Sequence, residues 1–175
     1  MIENGLIRLR AVEPSDVDLL YEWENNQELF QFGSPNTPYS RHQLMRFVET
    51  STGDLYTDLQ IRLIVEQQID GSYHSVGLVD AFEFDPYHLR SGVGIMVHQK
   101  YQGKGIAREA IALFVNYLFS QWGLHQVTVD VAVTNDASMA LFRESNFEPI
   151  GVKKDWLKTR SGFTDVLEYQ CINKQ

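Results

Sequence analysis

With only one cysteine, Cys171, in 175 residues, the chain has no internal disulfide and suits a reducing compartment. No run of 18 apolar residues occurs, so nothing reads as a membrane span. The opening MIENGLIRLR places an acid and an asparagine where a secretory leader needs an unbroken apolar core. Positive charge is scarce: 15 Lys and Arg against 23 Asp and Glu give a formal charge of -8, and nothing favours a nucleic-acid partner. Histidines and the lone cysteine lack the spacing of metal ligands, so no metal is expected. No repeat or linker rich in Gly, Pro or Ser divides the chain. One cytoplasmic domain over residues 1–175 is the expectation.

What is present centres on residues 92–119, GVGIMVHQKYQGKGIAREAIALFVNYLF. An apolar strand runs into a glycine-bearing turn and then a helix whose apolar residues recur at Ala110, Leu113, Phe114, Tyr117 and Leu118. Gly103 and Gly105 therefore stand where a strand hands over to a helix N-terminus. There the first N–H groups have no carbonyl partners and the helix dipole is positive, which suits phosphate; such glycines also serve purely as turn formers. A Walker A loop would need Ser or Thr after Lys, and a dinucleotide fingerprint would need a small residue where Arg108 stands.

Around this centre the elements follow in order. Ile7 and Leu9 alternate with Arg8 and Arg10 as a strand, and Pro14 opens a helix to about Asn25. Ser40 and Gln43 have the form of a capping box for a helix to about Thr50. Strands over 59–68 and 73–84 flank Asp70-Gly71, a hairpin signal. Further strands are expected at 91–98, at Val127 to Val133 with Val127, Val129, Val131 and Val133 on one face, at 148–157 and at 163–172. Helices are expected to about Gln121, ended by Gly123, and over 136–145.

The pattern Gln102-x-x-Gly105-x-Ala107, together with IRLRAVEPSDVDLLYEWENN, VAVTNDASMALFRESNFEPIG and RSGFTDVLEY, resembles the GNAT superfamily of acyl-CoA-dependent N-acetyltransferases. The branch it is most similar to holds spermidine and ribosomal-protein N-terminal acetyltransferases. The resemblance implies an α/β fold with a mixed, mostly antiparallel, twisted sheet of about six or seven strands and helices on both faces. It implies acetyl-CoA as co-substrate, a primary amine on a polyamine-like molecule or a protein N-terminus as acceptor, direct attack in a ternary complex, and a homodimer or larger homo-oligomer.

Carried onto this chain, the family's cofactor arm lies between its fourth and fifth strands against the backbone of Ile95, Met96 and Val97. A backbone N–H there would act as an oxyanion hole worth about 3 to 4 kcal/mol. The pyrophosphate would take N–H groups of Gln102, Gly103, Lys104, Gly105, Ile106, Ala107 and Arg108. Asn135, and Ser138 beside it, would touch the arm; Asn135 is also a good helix N-cap. Trp23, Glu24, Phe30, Phe32 and Tyr39 fall on the family's acceptor side. Phe142 stands where many members carry a tyrosine that protonates the departing thiolate. A thiol pKa near ~8.5 makes that loss worth roughly 2 kcal/mol at pH 7, so water can serve, and Phe142→Tyr is expected to turn over equally fast or faster.

An alkylamine with pKa ~10.4 needs a base, at a cost near 4 to 5 kcal/mol at pH 7. Glu83, Asp80 and Asp130 are the candidates, each equally readable as a solvated or paired strand residue. Alternation sets Asp80 and Glu83 on opposite faces, so only one is expected in the cleft. The alternative to an enzyme is an acyl-CoA-binding sensor or regulatory module, a reading that Phe142 favours.

Overall fold

The computed structural model describes residues 2–26, 37–159 and 162–174. Phe30 and Phe32 lie outside them. Eight strands form one sheet in the order β1-β2-β3-β4-β5-β6-β8-β7. They are β1 (Ile2–Glu3), β2 (Ile7–Ala11), β3 (Ile61–Ile69), β4 (Ser72–Asp85), β5 (Arg90–Val97), β6 (Gln126–Ala132), β7 (Glu148–Thr159) and β8 (Gly162–Ile172). Every pairing is antiparallel except β5 with β6. The strand beyond the seven expected is β1, whose two residues pair with Arg8 and Leu9 and are too short to show a period.

The helices are α1 (Val17–Glu24), α2 (Arg41–Thr50), α3 (Leu55–Asp58), α4 (Ile106–Trp122) and α5 (Asp136–Glu144). None of those described is long and apolar enough to cross a membrane. Two apolar clusters lie on the two faces of the sheet. On one, Leu20, Trp23 and Leu44 of α1 and α2 cover Ile64 and Leu78. On the other, Ile111, Phe114 and Leu118 of α4 cover Val65, Val79 and Val93, and Phe142 of α5 joins them. Each such fully buried side chain contributes about 2 kcal/mol of transfer free energy.

Local chemistry explains the boundaries. The Ser40 hydroxyl accepts the Gln43 N–H at 3.2 Å while Gln43 Oε1 accepts the Ser40 N–H at 2.8 Å, closing the capping box that starts α2. Asn25 ties the end of α1 to the approach to α2, donating to the Tyr39 carbonyl at 2.9 Å and accepting the Tyr39 N–H at 2.8 Å. Asp70 and Gly71 both have positive φ, 51° and 82°, as a two-residue hairpin turn requires. Gly123, at φ 67°, ends α4.

Two strand expectations are corrected. Leu59 precedes β3 as the left-handed C-cap of α3, and the alternation of β6 fails at its end, where Ala132 is buried and Val133 is outside the strand and exposed.

Candidate functional site

The parallel pairing of β5 with β6 lasts only three residues, Arg90, Ser91 and Gly92 opposite Gln126, Val127 and Thr128. Val93 to Val97 continue along β4 on one side and have left β6 on the other, which makes a notch in the sheet. Two hydrogen bonds fix which residues face it. The His98 N–H reaches the Val76 carbonyl at 2.8 Å, toward β4, whereas the Val97 carbonyl accepts from Gln102 Nε2 at 2.8 Å, on the notch side. Strand alternation then turns the backbone of Ile95 and Val97 into the notch and that of Met96 toward Leu78 of β4. Of the three consecutive backbone contacts expected, that of Met96 turns toward β4, while Met96 is among the residues that line the cavity.

Below the notch the chain turns through a 3-10 turn, Gln99–Tyr101, and the glycine loop into α4. The Gln102 N–H belongs to that turn, bonded to the Gln99 carbonyl at 3.2 Å, so Gln102 braces the loop to β5 and is corrected as an anion donor. From Glu109 onward the N–H groups are helical, Glu109 bonding Gly105. Between them stands the first turn of α4, whose N–H groups have no intrahelical acceptors. Gly103 and Gly105 have φ of 73° and 79°, and a Cβ at either would meet nothing within 4 Å. The glycines thus serve both the turn and the space beside it. Lys104 directs its ammonium over the Tyr101 ring, 5.7 Å from the centroid.

Notch and cradle belong to one cavity of about 1630 Å³ that continues to Trp23, Glu24, Tyr39 and Phe47 between α1, α2 and β3. Asn135 and Ser138 line it where α5 begins; the Asn135 side-chain oxygen caps that helix by accepting the Ser138 N–H at 3.1 Å. On the side of α1, α2 and β3 two carboxylates, Glu24 and Asp80, meet one cation, Arg62, and Glu83 lines the cavity from β4. Arg62 holds Asp80 through Nε at 2.6 Å and Nη2 at 3.1 Å, and Glu24 through Nη1. Burial opposes the Arg62 charge, but Asp80 and Glu24 outweigh it and raise its pKa above the ordinary arginine range.

Asp80 and Glu83 both line this cavity, against the expectation that only one could. The pairing of β4 with β5 is irregular between Phe82 and Asp85, and Glu83 takes a left-handed φ of 51°, which breaks the alternation. Glu83 is exposed, with no cationic partner among the described residues.

Two expected residues are elsewhere. Asp130 is bound by Lys153 Nζ at 2.9 Å to each oxygen, beside Glu168 on β8, and is not among the residues that line the cavity. Phe142 does not line the cavity either: it is 3% exposed and packs edge-on against Phe147 at 5.1 Å. A phenyl ring carries no group that needs water, so it joins the core.

Arg62 was not singled out by the sequence. Counted back from the Asp70-Gly71 turn, it would oppose Val79; a bulge at Val65/Glu66 shifts the register by one and sets it against Asp80. No group of three or more His, Cys, Asp or Glu placed to hold a metal occurs among the described residues.

The model of the acetyltransferase (GNAT) domain family matches residues 7–148. The spermidine N(1)-acetyltransferase of Vibrio cholerae is 27% identical over 144 residues, covering 82% of this chain and 80% of that protein. The Escherichia coli K12 enzyme of the same name is 29% identical over 150 residues, covering 83% and 74%. A crystal structure of the Vibrio cholerae spermidine N-acetyltransferase in complex with CoA and spermine superposes with a TM-score of 0.85 at 25% identity, covering 97% of this chain and 96% of that one. The ribosomal-protein-S5-alanine acetyltransferase of Vibrio fischeri, at 18% identity, shares the fold with a TM-score of 0.84 over 99% and 96% of the chains.

Proposed function

The chain belongs to the GNAT acetyltransferase family and is an acetyl-CoA-dependent N-acetyltransferase; we propose that it acetylates a primary amine by direct attack within a ternary complex. The acceptor is a small polyamine-like molecule or a protein N-terminus, in keeping with relatives named for spermidine and with the excess of carboxylates around Arg62. The observation that carries the reading is the β5–β6 notch, which shares one cavity with the first turn of α4 and with Glu24 and Asp80.

Acetyl-CoA supplies a reactive acyl thioester. The N–H groups of Ile95 and Val97 stand along the notch as fixed donors for an acyl oxygen that gains charge. Those of the loop and first turn, from Gly103 to Arg108, suit the pyrophosphate, and the space beside Gly103 and Gly105 fits that use. Asn135, while capping α5, and Ser138 present polar groups to the arm. Glu83 takes the proton of the attacking amine directly or through water, since Asp80 is held in a fork by Arg62. No side-chain acid is required for the thiolate, whose protonation by water is close to balanced at neutral pH. The protein works in the cytoplasm as a homo-oligomer, as the dodecameric Vibrio cholerae structure suggests; Ile150, Val152, Trp156 and Phe163 are exposed on its β7–β8 hairpin and suit such contacts.

The test is release of free thiol from acetyl-CoA with a panel of amines and N-terminal peptides. Acceptor-dependent release is expected, reduced about 100-fold in Glu83→Gln. Binding of acetyl-CoA with no thiol above the no-acceptor rate would point instead to a sensor module.

A further inference from the structure

We propose that Phe82 sets the length of the acyl group that the donor can carry and holds the site to short acyl thioesters. The proposal rests on the acyl-CoA reading of the notch and names the residue that closes it.

The notch has an open and a closed end. Pairing of β5 with β6 stops at Gly92 opposite Thr128, whereas the cradle follows Val97 at the other end of the strand. An acyl-CoA whose pyrophosphate sits in the cradle therefore points its acyl end toward Gly92, with Ile95 and Val97 beside the thioester. Within the sheet, the paired backbone of β5 and β6 stops a longer chain. On the α4 face, Val93 and Val127 are fully buried, so no space opens there. What remains is the face toward α1 and α2.

Phe82 covers that face at the closed end. It stands opposite Gly92, as Asp80 stands opposite Gly94 and Leu78 opposite Met96, and opposed residues of an antiparallel pair share a face. Leu78 packs with Leu20 and Leu44, which makes this the face of α1 and α2. The ring lies across β5: a Cβ at Gly92 would come within 2.6 Å of its Cε2, and one at Gly94 within 3.5 Å of its Cε1. Glycine at 92 is what admits the ring. Strands rise about 3.4 Å per residue, so the ring edge begins about one residue beyond the Ile95 donor. The ring lines the cavity and is 40% exposed. Its backbone is held by the buried Ser91 hydroxyl, 3.0 Å from the Phe82 carbonyl, and the neighbouring Asp80 is held by Arg62. An acetyl methyl stops short of the ring, whereas a longer chain must lift it off the glycines.

Titration calorimetry with acetyl-CoA and butyryl-CoA reads this without an acceptor. The unaltered protein is expected to bind acetyl-CoA about tenfold or more tighter, and Phe82→Ala should bring the two affinities within about threefold, chiefly by improving butyryl-CoA. With spermidine as the acceptor, the ratio of kcat/KM from thiol release should move in the same direction. Equal or tighter binding of butyryl-CoA by the unaltered protein overturns the proposal, and that ratio decides even if Phe82→Ala does not fold. A folded Phe82→Ala with an unmoved ratio overturns it as well. Failure of acetyl-CoA itself to bind would instead overturn the reading of the notch on which the proposal stands.

Discussion

Phe142 shows how a single residue divides position from role. It stands at the family's tyrosine position, yet its ring lies in the α4-side core against Phe147 and not in the cavity. A hydroxyl added there enters a dry contact and not the reacting centre. Phe142→Tyr is therefore expected to lower stability by about 1 to 3 kcal/mol without raising turnover, which narrows the equal or faster turnover expected from the sequence to equal. Thermal melting and thiol release check both halves; faster turnover would mean that the ring reaches the cavity. Glu83 teaches the converse. Its acid was legible, but its orientation was not, because a left-handed residue at an irregular pairing invalidates the period-two count.

Among the elements, the start of α1 is held by charge as well as packing. Arg10 bonds Asp16 at 2.7 and 2.8 Å and Glu66 at 2.9 Å, and Arg8 also bonds Glu66. Burial works to raise the pKa of both carboxyls, but for Asp16 the bonds from Arg10 and the Glu13 N–H, and for Glu66 those from Arg8 and Arg10, hold each below the ordinary range. Lowered folded-state values mean that this stabilisation is complete above about pH 5 and is lost as pH falls through the depressed values. Urea denaturation at pH 7 and pH 3 should show the loss, and Asp16→Asn should remove about 3 kcal/mol at pH 7 but far less at pH 3. An equal cost at both pH values would remove the carboxylate from the account. Elements with a clear period or cap were readable in the sequence: the capping box of α2, the Asp70-Gly71 turn and the apolar stripe of α4 all occur as expected. The Arg62–Asp80 pair was hidden, because a bulge sets its register and leaves no mark in spacing.

For the molecule as a whole, the decisive feature is where the sheet comes apart. The order of strands and helices follows from hydrophobic periodicity, whereas the length over which β5 and β6 stay paired depends on sheet twist and packing that no local pattern records. The notch, the cradle, Glu24 and Asp80 share one cavity. Backbone amide hydrogen exchange with and without acetyl-CoA reads that assembly directly. Slowed exchange is predicted at Ile95, at Val97 and from Gly103 to Arg108. It should be absent in Gly105→Glu, where the charge opposes the pyrophosphate and the strained φ costs only about 1 kcal/mol of stability. Protection by acetyl-CoA elsewhere, with these amides unchanged, would contradict the account.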